Sequence, residues 1–517
     1  MNIPCLLETS AMMSPEKTAI ISIDPGGLEE REKSYRELHH RINQVANALL
    51  QCGVKKGEPV AFLMRNCMEL AEVHFGTITA GAVSVPLNFM LSPEKLLSCL
   101  KRSDASALFY GEEFANKIGA VKDSLPKMKA LVSVGTKSEL ACSIAYETFL
   151  KDASGAMPKV DILENDLHSL LFTAGATGEP KIVMITHGQT AWSAMNALLT
   201  TRRHNPVTTA IAPMFHIASL GMLLATLMRQ ATCVIFRAFD PPKLMKVISK
   251  YQVANLFLVP TMWVRLLNLK DLEEYDRNSV KIVSSAGSSA SPHLKQRILK
   301  AFPNAGFSEV YGMTEMSAVG TVLQPEDIAV YPGSVGRPAL LNRMKIVDEN
   351  GKDLPPGQIG EILFQGPGMM KGYYKDEEAT RRAIIDGWYY TADLGKVDEK
   401  GYLYIMGRKD EMIISGAENI YPLPIEKVLN EHPKVLEAAV IGIPDKEWGE
   451  IVLALIVPQS GEKPEPEELI NYCRDKLGSH MKPRRIEFVE SLPKTETGKI
   501  YKPALRKKYA SGNINDI

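Results

Sequence analysis

The 517-residue chain contains no apolar run that reaches the roughly 18 residues needed to cross a membrane. Lys and Arg balance Asp and Glu at 60 each, so nothing draws the whole chain to nucleic acid or anionic lipid. The seven cysteines show no CxxC spacing, which argues against a zinc site or a disulfide framework and favours a reducing cytoplasm. Residues 1–14 lack a basic segment and a sustained apolar core, so we expect no secretory signal.

The chain does contain alternating helical and extended patterns. Leu38, Ile42, Val45 and Leu49 recur at helical spacing, and Gly53 can end that helix. Strand candidates follow at 60–64 and 82–86, separated by a helical segment at 68–80. This βαβ rhythm predicts an α/β fold with parallel sheets covered by helices, and a compact α+β pattern begins after residue 409.

Five polar, glycine-containing segments look suited to bind phosphate, ribose and metal. They are residues 172–181, 311–315, 387–393, 407–422 and 492–500. Each has an ordinary alternative explanation, as a surface turn, a polar loop, a helix cap or solvated charge.

In the first segment, Gly175 and Gly178 permit positive φ, so successive backbone N–H groups can face an anion. Thr173 and Thr177 supply hydroxyls, and Lys181 supplies a mobile charge. The segment is not a Walker A loop, because no G-K-[ST] follows at the required spacing.

The later segments supply different chemistry. Tyr311, Thr314 and Glu315 offer an aromatic face, a hydroxyl and a carboxylate, which suit a base, a phosphate oxygen and Mg²⁺. Asp393 can accept two hydrogen bonds from a ribose diol, and Lys499 lies in a polar turn from which a cation can reach into a site.

Together and in this order, the segments closely resemble the adenylate-forming superfamily of acyl-CoA synthetases, peptide-synthetase adenylation domains and luciferases. The match covers nearly the whole chain and is strongest with the CoA ligases. The resemblance implies a large N-terminal domain, residues 1–409, and a small mobile C-terminal domain, residues 410–517, with Asp410 as the hinge residue. It also implies ATP, AMP, Mg²⁺ and CoA as ligands.

The resemblance assigns roles residue by residue. The β- and γ-phosphates are held by Thr173, Gly175, Thr177, Gly178 and Lys181. The adenine and α-phosphate side is formed by Gly287, Ser288, Tyr311, Gly312 and Thr314. Glu315 ligates Mg²⁺, Asp393 binds the ribose with Arg408 nearby, and Lys499 bridges the carboxylate and the α-phosphate. His216 gates the acyl pocket, although a structural histidine is an alternative.

The resemblance also implies an acceptor site for CoA. Its contacts are Ser415, Gly416, Ala417, Trp448 and Arg484. A solvated basic turn at residues 482–485 is the alternative explanation for the last of these.

The implied activity is that of an AMP-forming acid–CoA ligase. The pocket candidates Trp263, Val259 and Met313 are apolar, and no basic residue is evident for a second carboxylate. We therefore expect a medium-sized apolar monocarboxylate, aliphatic or cyclic.

Ala174 and Ala176 stand where relatives carry hydroxyl residues, which leaves open weaker pyrophosphate binding and a reaction that also runs in reverse. An enzyme that loads a separate carrier protein and a non-catalytic nucleotide-binding relative are alternatives. The oligomeric state is also left open.

Overall fold

The computed structural model describes residues 1–23, 30–125, 128–135, 140–173, 180–200, 207–285, 287, 290–416, 418–459, 461–462, 464–494 and 500–509. The helices in these ranges are α1 Ile3–Met13, α2 Tyr35–Gln51, α3 Met68–Thr79, α4 Pro93–Arg102, α5 Ala115–Gly119, α6 Tyr146–Leu150, α7 His187–Thr200, α8 Ile217–Met228, α9 Pro241–Tyr251, α10 Pro260–Leu267, α11 Pro292–Ala301, α12 Glu377–Ala383, α13 Pro422–Asn430, α14 Pro466–Leu477 and α15 Lys502–Tyr509. No helix among them is both long and apolar enough to span a bilayer.

Two large sheets occupy the first two thirds of the chain. Their strands are β1 Thr18–Ile23, β2 Glu30–Ser34, β3 Pro59–Leu63, β4 Val83–Pro86, β5 Ala107–Gly111, β6 Ala130–Val134, β7 Ile144–Ala145, β8 Leu167–Thr173, β9 Lys181–Thr186, β10 Val207–Ala210, β11 Thr232–Phe236, β12 Asn255–Phe257, β13 Ile282–Ser285, β14 Gly306–Tyr311, β15 Thr321–Leu323 and β16 Arg337–Pro338.

Sheet 1 has the strand order β16-β15-β14-β13-β12-β10-β11-β1-β2, and the run from β14 to β1 is parallel. Sheet 2 has the order β9-β8-β4-β3-β5-β6-β7, with every pair from β8 to β7 parallel. Helices α2, α3 and α8 share a buried apolar core with both sheets. The sheets therefore form layers joined by helices, as the βαβ rhythm predicts.

The first predicted helix is confirmed in detail. Ser34 accepts a hydrogen bond from the backbone N–H of Glu37, and the Glu37 side chain reaches back to the Ser34 N–H. This capping box fixes the start of α2, and Leu38, Ile42, Val45 and Leu49 form its buried face. The chain leaves the helix through Gly53, at φ +86°.

A third sheet lies within residues 343–408. Its strands are β17 Arg343–Val347, β18 Gly360–Gln365, β20 Ile384–Ile385, β21 Trp388–Val397 and β22 Leu403–Arg408, while β19 Gly372–Tyr373 joins β9 of sheet 2. All of its strand pairs are antiparallel. It places Asp393 and Arg408 opposite each other on β21 and β22.

The fourth sheet forms the smaller C-terminal part. Its strands are β23 Ile413–Ser415, β24 Glu418–Ile420, β25 Val435–Asp445, β26 Gly449–Pro458 and β27 Arg485–Phe488. They pair antiparallel except for β26 with β27, and α13 and α14 pack on one face. The fold class is therefore confirmed: a large N-terminal α/β domain and a smaller α+β C-terminal domain.

Three histidines lie in a row inside the larger domain, and we call His74, His168 and His187 the histidine row. His74 hydrogen-bonds the Ser84 hydroxyl at 2.8 Å, and His168 hydrogen-bonds Thr190 at 2.6 Å. Burial lowers the pKa of all three, to about 3 for His74 and about 4 for His187. The row is consequently neutral at pH 7.

Candidate active site

A cavity of about 1220 Å³ opens at the carboxyl ends of the parallel strands. Such an edge is where open α/β sheets usually bind ligands. The cavity brings together the following predicted site residues: Thr173, Lys181, His216, Gly287, Tyr311, Gly312, Thr314, Glu315, Asp393 and Arg408.

Asp393 is the centre of one polar corner. Its carboxylate accepts hydrogen bonds from the Tyr311 hydroxyl and, at 3.1 Å, from Nη1 of Arg408. Burial raises the pKa of Tyr311 well above its usual value, and the neighbouring Asp393 charge adds to the shift. The tyrosine therefore remains a neutral donor. This corner presents an aromatic ring, a carboxylate and a guanidinium, which suits an adenosine with its ribose diol.

Glu315 forms a second polar corner. It accepts a hydrogen bond from the Tyr373 hydroxyl at 3.1 Å, and Lys181 Nζ lies 4.6 Å from the centre of the Tyr373 ring. Burial raises the pKa of Glu315, although Tyr373, Lys181 and Arg408 oppose that shift.

A hard carboxylate oxygen beside a threonine hydroxyl fits Mg²⁺, which keeps several waters and takes further oxygens from phosphates. No cluster of three or more His, Cys, Asp or Glu side chains suited to a metal occurs in the described ranges. A Mg²⁺ ion would accordingly be held by Glu315 together with the nucleotide.

The hairpin of β8 and β9 fixes the ends of the phosphate segment. Thr173 pairs with Lys181 across the hairpin, and both residues line the cavity. Gly175, Thr177 and Gly178 lie outside the described residues, as do Ser288, Ala417 and Lys499. The segment that carries Lys499 is bracketed by a β-bridge between Lys494 and Ile500, so both of its ends lie together.

Gly312 is required by a close approach of the backbone. A Cβ atom at this position would collide with the carbonyl oxygen of Ala318. The glycine allows the turn after β14 to fold back tightly, which brings Tyr311, Thr314 and Glu315 to the same cavity.

The described members of the predicted CoA site, Ser415, Gly416, Trp448 and Arg484, lie on or next to strands of sheet 4. The Arg484 guanidinium stacks on the Trp448 ring, with its central carbon 3.9 Å from the ring centre. The Gly416 N–H donates to the Trp448 carbonyl at 2.9 Å, and Ser415 pairs with Gly449. A stacked cation beside backbone turns is suited to a nucleotide phosphate. Asp410 is the second residue after β22 and accepts a hydrogen bond from Nε of Arg408 at 3.2 Å.

The rest of the cavity is a channel along α8, apolar over its middle part, which we call the acyl channel. His216 occupies the N-cap position of α8 at the channel mouth. Val259 and Met313 line the cavity as expected.

Two expectations about the pocket were wrong. Trp263 is fully buried against Phe302 in another core, with its indole N–H donating to the Ser284 carbonyl at 3.3 Å. Its position on α10 turns it away from the cavity. A basic residue also lines the channel, because Arg229, the C-cap residue of α8, lies in the cavity wall.

Sequence reasoning missed three residues that organise the site. Tyr373 positions Glu315 and Lys181. The Thr391 hydroxyl accepts from the Asp393 N–H at 3.0 Å, and Glu361 accepts from the Ala392 N–H at 3.0 Å. The Gly372-Tyr373 pair was a usable signal, since an aromatic next to a glycine also occurs at Tyr311-Gly312 and Gly387-Trp388. Glu361 offered none, because its partner is 31 residues away.

Comparison with known proteins decides the family. Residues 7–374 match the AMP-binding enzyme family, and residues 424–499 match the AMP-binding enzyme C-terminal domain. The chain belongs to the AMP-binding enzyme family. It is 34% identical over 501 residues to a feruloyl-CoA synthase from an Amycolatopsis species, which covers 96% of this chain and 97% of that protein. It is 33% identical over 504 residues to a 2-succinylbenzoate–CoA ligase from Bacillus cereus, covering 97% and 98%.

Solved structures of this family superpose over the full chain. An anthranilate CoA ligase in complex with anthranoyl-AMP matches with a TM-score of 0.90 at 28% identity, over 99% of this chain and 98% of that one. A Mycobacterium tuberculosis fatty acyl CoA synthetase matches with a TM-score of 0.78 at 30% identity, over 99% of each chain. The predicted class, an AMP-forming acid–thiol ligase, is confirmed by these relatives.

Proposed function

We propose that this AMP-binding enzyme activates a medium-sized carboxylic acid with an apolar body and transfers the acyl group to CoA. The observation that supports this most directly is that both polar corners, at Asp393 and at Glu315, open onto the apolar acyl channel. A carboxylate that enters the channel tail first would stop with its charged end between them. The ligases for ferulate, 2-succinylbenzoate and anthranilate among the relatives indicate that aromatic acids belong in the test alongside aliphatic ones.

The first step forms a bond between a carboxylate oxygen and the α-phosphorus of ATP, and the bond to pyrophosphate breaks. Both reactants are anions, so stabilisation of charge is the main catalytic requirement. Lys181 and Arg408 supply positive charge at the cavity wall, and Asp393 orients the ribose. Mg²⁺, held by Glu315 and the phosphates, would neutralise further charge. We assign Lys499 to the same step.

In the second step, the CoA thiol attacks the acyl carbon and AMP leaves. We assign Trp448 and Arg484 to the CoA nucleotide, and Ser415 to Ala417 to the path of the thiol. We also assign the domain boundary to Lys409 and Asp410. It is supported by the change from β22 to the separate sheet 4, and by α13 side chains Leu423 and Lys427 in the cavity wall.

The test is a panel of aliphatic and aromatic acids with ATP, Mg²⁺ and CoA, assayed for AMP, pyrophosphate and thioester. Acid-dependent AMP with free CoA thioester supports the proposal. AMP without thioester would favour a carrier protein as acceptor, and nucleotide binding without any AMP would favour a non-catalytic role. ATP formed from acyl-CoA, AMP and pyrophosphate would establish the reverse reaction.

The half-reactions test the assigned lysine. Lys499→Ala should lose adenylation while retaining thioester formation from supplied acyl-adenylate, because only adenylation brings two anions together. Lys494→Ala is a matched control: this lysine stands at the base of the same segment and pairs with Glu437 at 2.6 Å. Equal loss of both half-reactions in Lys499→Ala would contradict the assigned role.

A further inference from the structure

The acyl channel runs along the length of strand β10 in sheet 1. Pro213 lies just beyond the carboxyl end of β10, where the reacting groups gather, whereas Thr208 lies near the amino end of the same strand. Both residues line the cavity. Four residue steps from Thr208 to Ala212 span roughly 13 Å at about 3.3 Å per residue. The channel is therefore deep enough to receive the far end of the acid.

The middle of the channel is apolar and has small side chains. Residues of one face of α8 line it at helical spacing: Ala218, Gly221, Met222 and Ala225. Ala194, Ala197 and Leu198 of α7 also line the cavity. The apolar side chains of this part of the channel suit the apolar body of a substrate.

The inner end of the channel is polar. Thr208, Thr226, Arg229 and Asn255 line it, and they come from the amino ends of β10 and β12 and the last turn of α8. Asn255 is 6% exposed, and its Oδ1 has no hydrogen-bond partner among the described residues. Thr208 Oγ1 donates to the Asn255 backbone carbonyl at 3.4 Å, which ties these two residues together.

Arg229 adds charge to this inner end. Its Nη2 donates to the Leu198 carbonyl at 3.1 Å. Arg229 is half-buried, and this burial lowers the pKa of its guanidinium. A methyl-ended chain would desolvate these groups without offering them a hydrogen bond, which is unfavourable.

We propose that the substrate carries a hydrogen-bonding oxygen group, a hydroxyl or a second carboxylate, at the end remote from the reacting carboxylate. The inference rests on the proposed function and narrows its substrate class. Asn255 can present either its amide donor or its acceptor by rotation of the amide, and Thr208 can accept or donate. Arg229 can only donate, so it is the residue that favours a carboxylate.

The experiment compares acids of one length that end in a methyl, a hydroxyl or a carboxylate, in aliphatic and aromatic series. We expect wild-type kcat/KM to favour an oxygen-ended acid over its methyl-ended partner by roughly 5- to 150-fold, the range for one buried hydrogen bond. Asn255→Leu and Thr208→Val should remove most of that preference. Arg229→Met should act on the carboxylate series more than on the hydroxyl series.

Thr209→Val is the matched control. Thr209 is the next residue on β10 and is buried like Thr208, but it does not line the cavity. The control variant should keep the wild-type preference. Turnover of the methyl-ended acid reports that each variant is folded, since none of these substitutions touches the residues that bind ATP.

The outcomes separate the two levels of the argument. If AMP forms but methyl-ended acids are used as well as oxygen-ended ones, the inference about the inner end is overturned and the proposed function stands. If Thr208→Val and Thr209→Val change the preference equally, the inference is also overturned. If no acid releases AMP, the proposed function fails and the inference with it.

Discussion

Gly221 offers a test in which stability and substrate choice respond differently. It lies inside α8, where glycine costs about 1 kcal/mol relative to alanine. A Cβ atom added at Gly221 would meet no atom within 4 Å, because the position faces the channel. Gly221→Ala should therefore raise the free energy of unfolding by about 0.5–1 kcal/mol.

Gly76 is the matched control within a packed helix. A Cβ atom at this position of α3 would lie 2.5 Å from the Val45 Cβ and 2.9 Å from the Ile42 carbonyl oxygen. Overpacking of this kind typically costs about 1–3 kcal/mol, so Gly76→Ala should destabilise the protein although the substitution is chemically the same. Urea denaturation should show a higher free energy of unfolding than wild type for Gly221→Ala and a lower one for Gly76→Ala.

Gly221→Leu extends the test to function. Its side chain would project into the channel, so long acids should lose kcat/KM while short acids keep it. Each methylene group that the new side chain displaces costs about 0.8 kcal/mol, or about fourfold in kcat/KM. An unchanged chain-length profile, or a destabilised Gly221→Ala variant, would refute the placement of this helix face in the acyl channel.

Three further predictions concern Asp393, the histidine row and Asp410. Asp393→Asn leaves either Tyr311 or Arg408 facing an amide N–H₂ instead of an acceptor. Calorimetry should therefore show that AMP binding is weakened by about 1–3 kcal/mol. Asp386→Asn, at an exposed position, is the control and should leave AMP binding unchanged. The pKa of each member of the histidine row is lower in the folded protein than the unfolded value near 6.5. The unfolded chain therefore binds more protons, and the free energy of unfolding should fall as the pH drops below 6.5. The fall should reach up to about 1.4 kcal/mol per pH unit for each histidine. In His187→Gln, the slope of unfolding free energy against pH should be smaller than in wild type by the contribution of about one proton, as measured from urea midpoints between pH 5 and 7. Equal slopes in the two proteins would contradict this prediction. Asp410→Pro should leave adenylation measurable and abolish CoA transfer, because proline fixes φ near −65° at the proposed pivot, and normal overall turnover would show that the pivot lies elsewhere.

Local patterns predicted the helices and strands of the large domain well, because their signals lie within a few residues. The spacing of Leu38 to Leu49 and the glycine after them define α2 without tertiary information. Tyr311 to Glu315 could be selected as candidates for a similar reason, since they form a short contiguous motif, and the structure places them in the cavity wall. The antiparallel sheet at 343–408 gave little such signal, because most of its strands are short or interrupted by bulges.

Side-chain direction was the main quantity that the sequence did not reveal. Trp263 and Val259 are four residues apart, yet one lies in a core and the other lines the cavity. Arg229 was missed because only the folded chain brings it to Leu198, 31 residues earlier, and into the cavity wall. Burial and long-range contact, rather than residue type, decide such positions.

The last helix also has a consequence for handling the protein. Arg506 of α15 donates to the Asp410 carbonyl at 2.6 Å, and Lys502 pairs with Glu411 and Glu426 at 2.8 Å each. Helix α15 thus contacts Asp410 and Glu411, at the proposed pivot, across more than ninety positions of sequence. A truncation or fusion junction placed within residues 500–509 would remove these contacts of Lys502 and Arg506, although every residue that lines the cavity would still be present. Truncation and fusion junctions for kinetic work therefore belong outside residues 500–509.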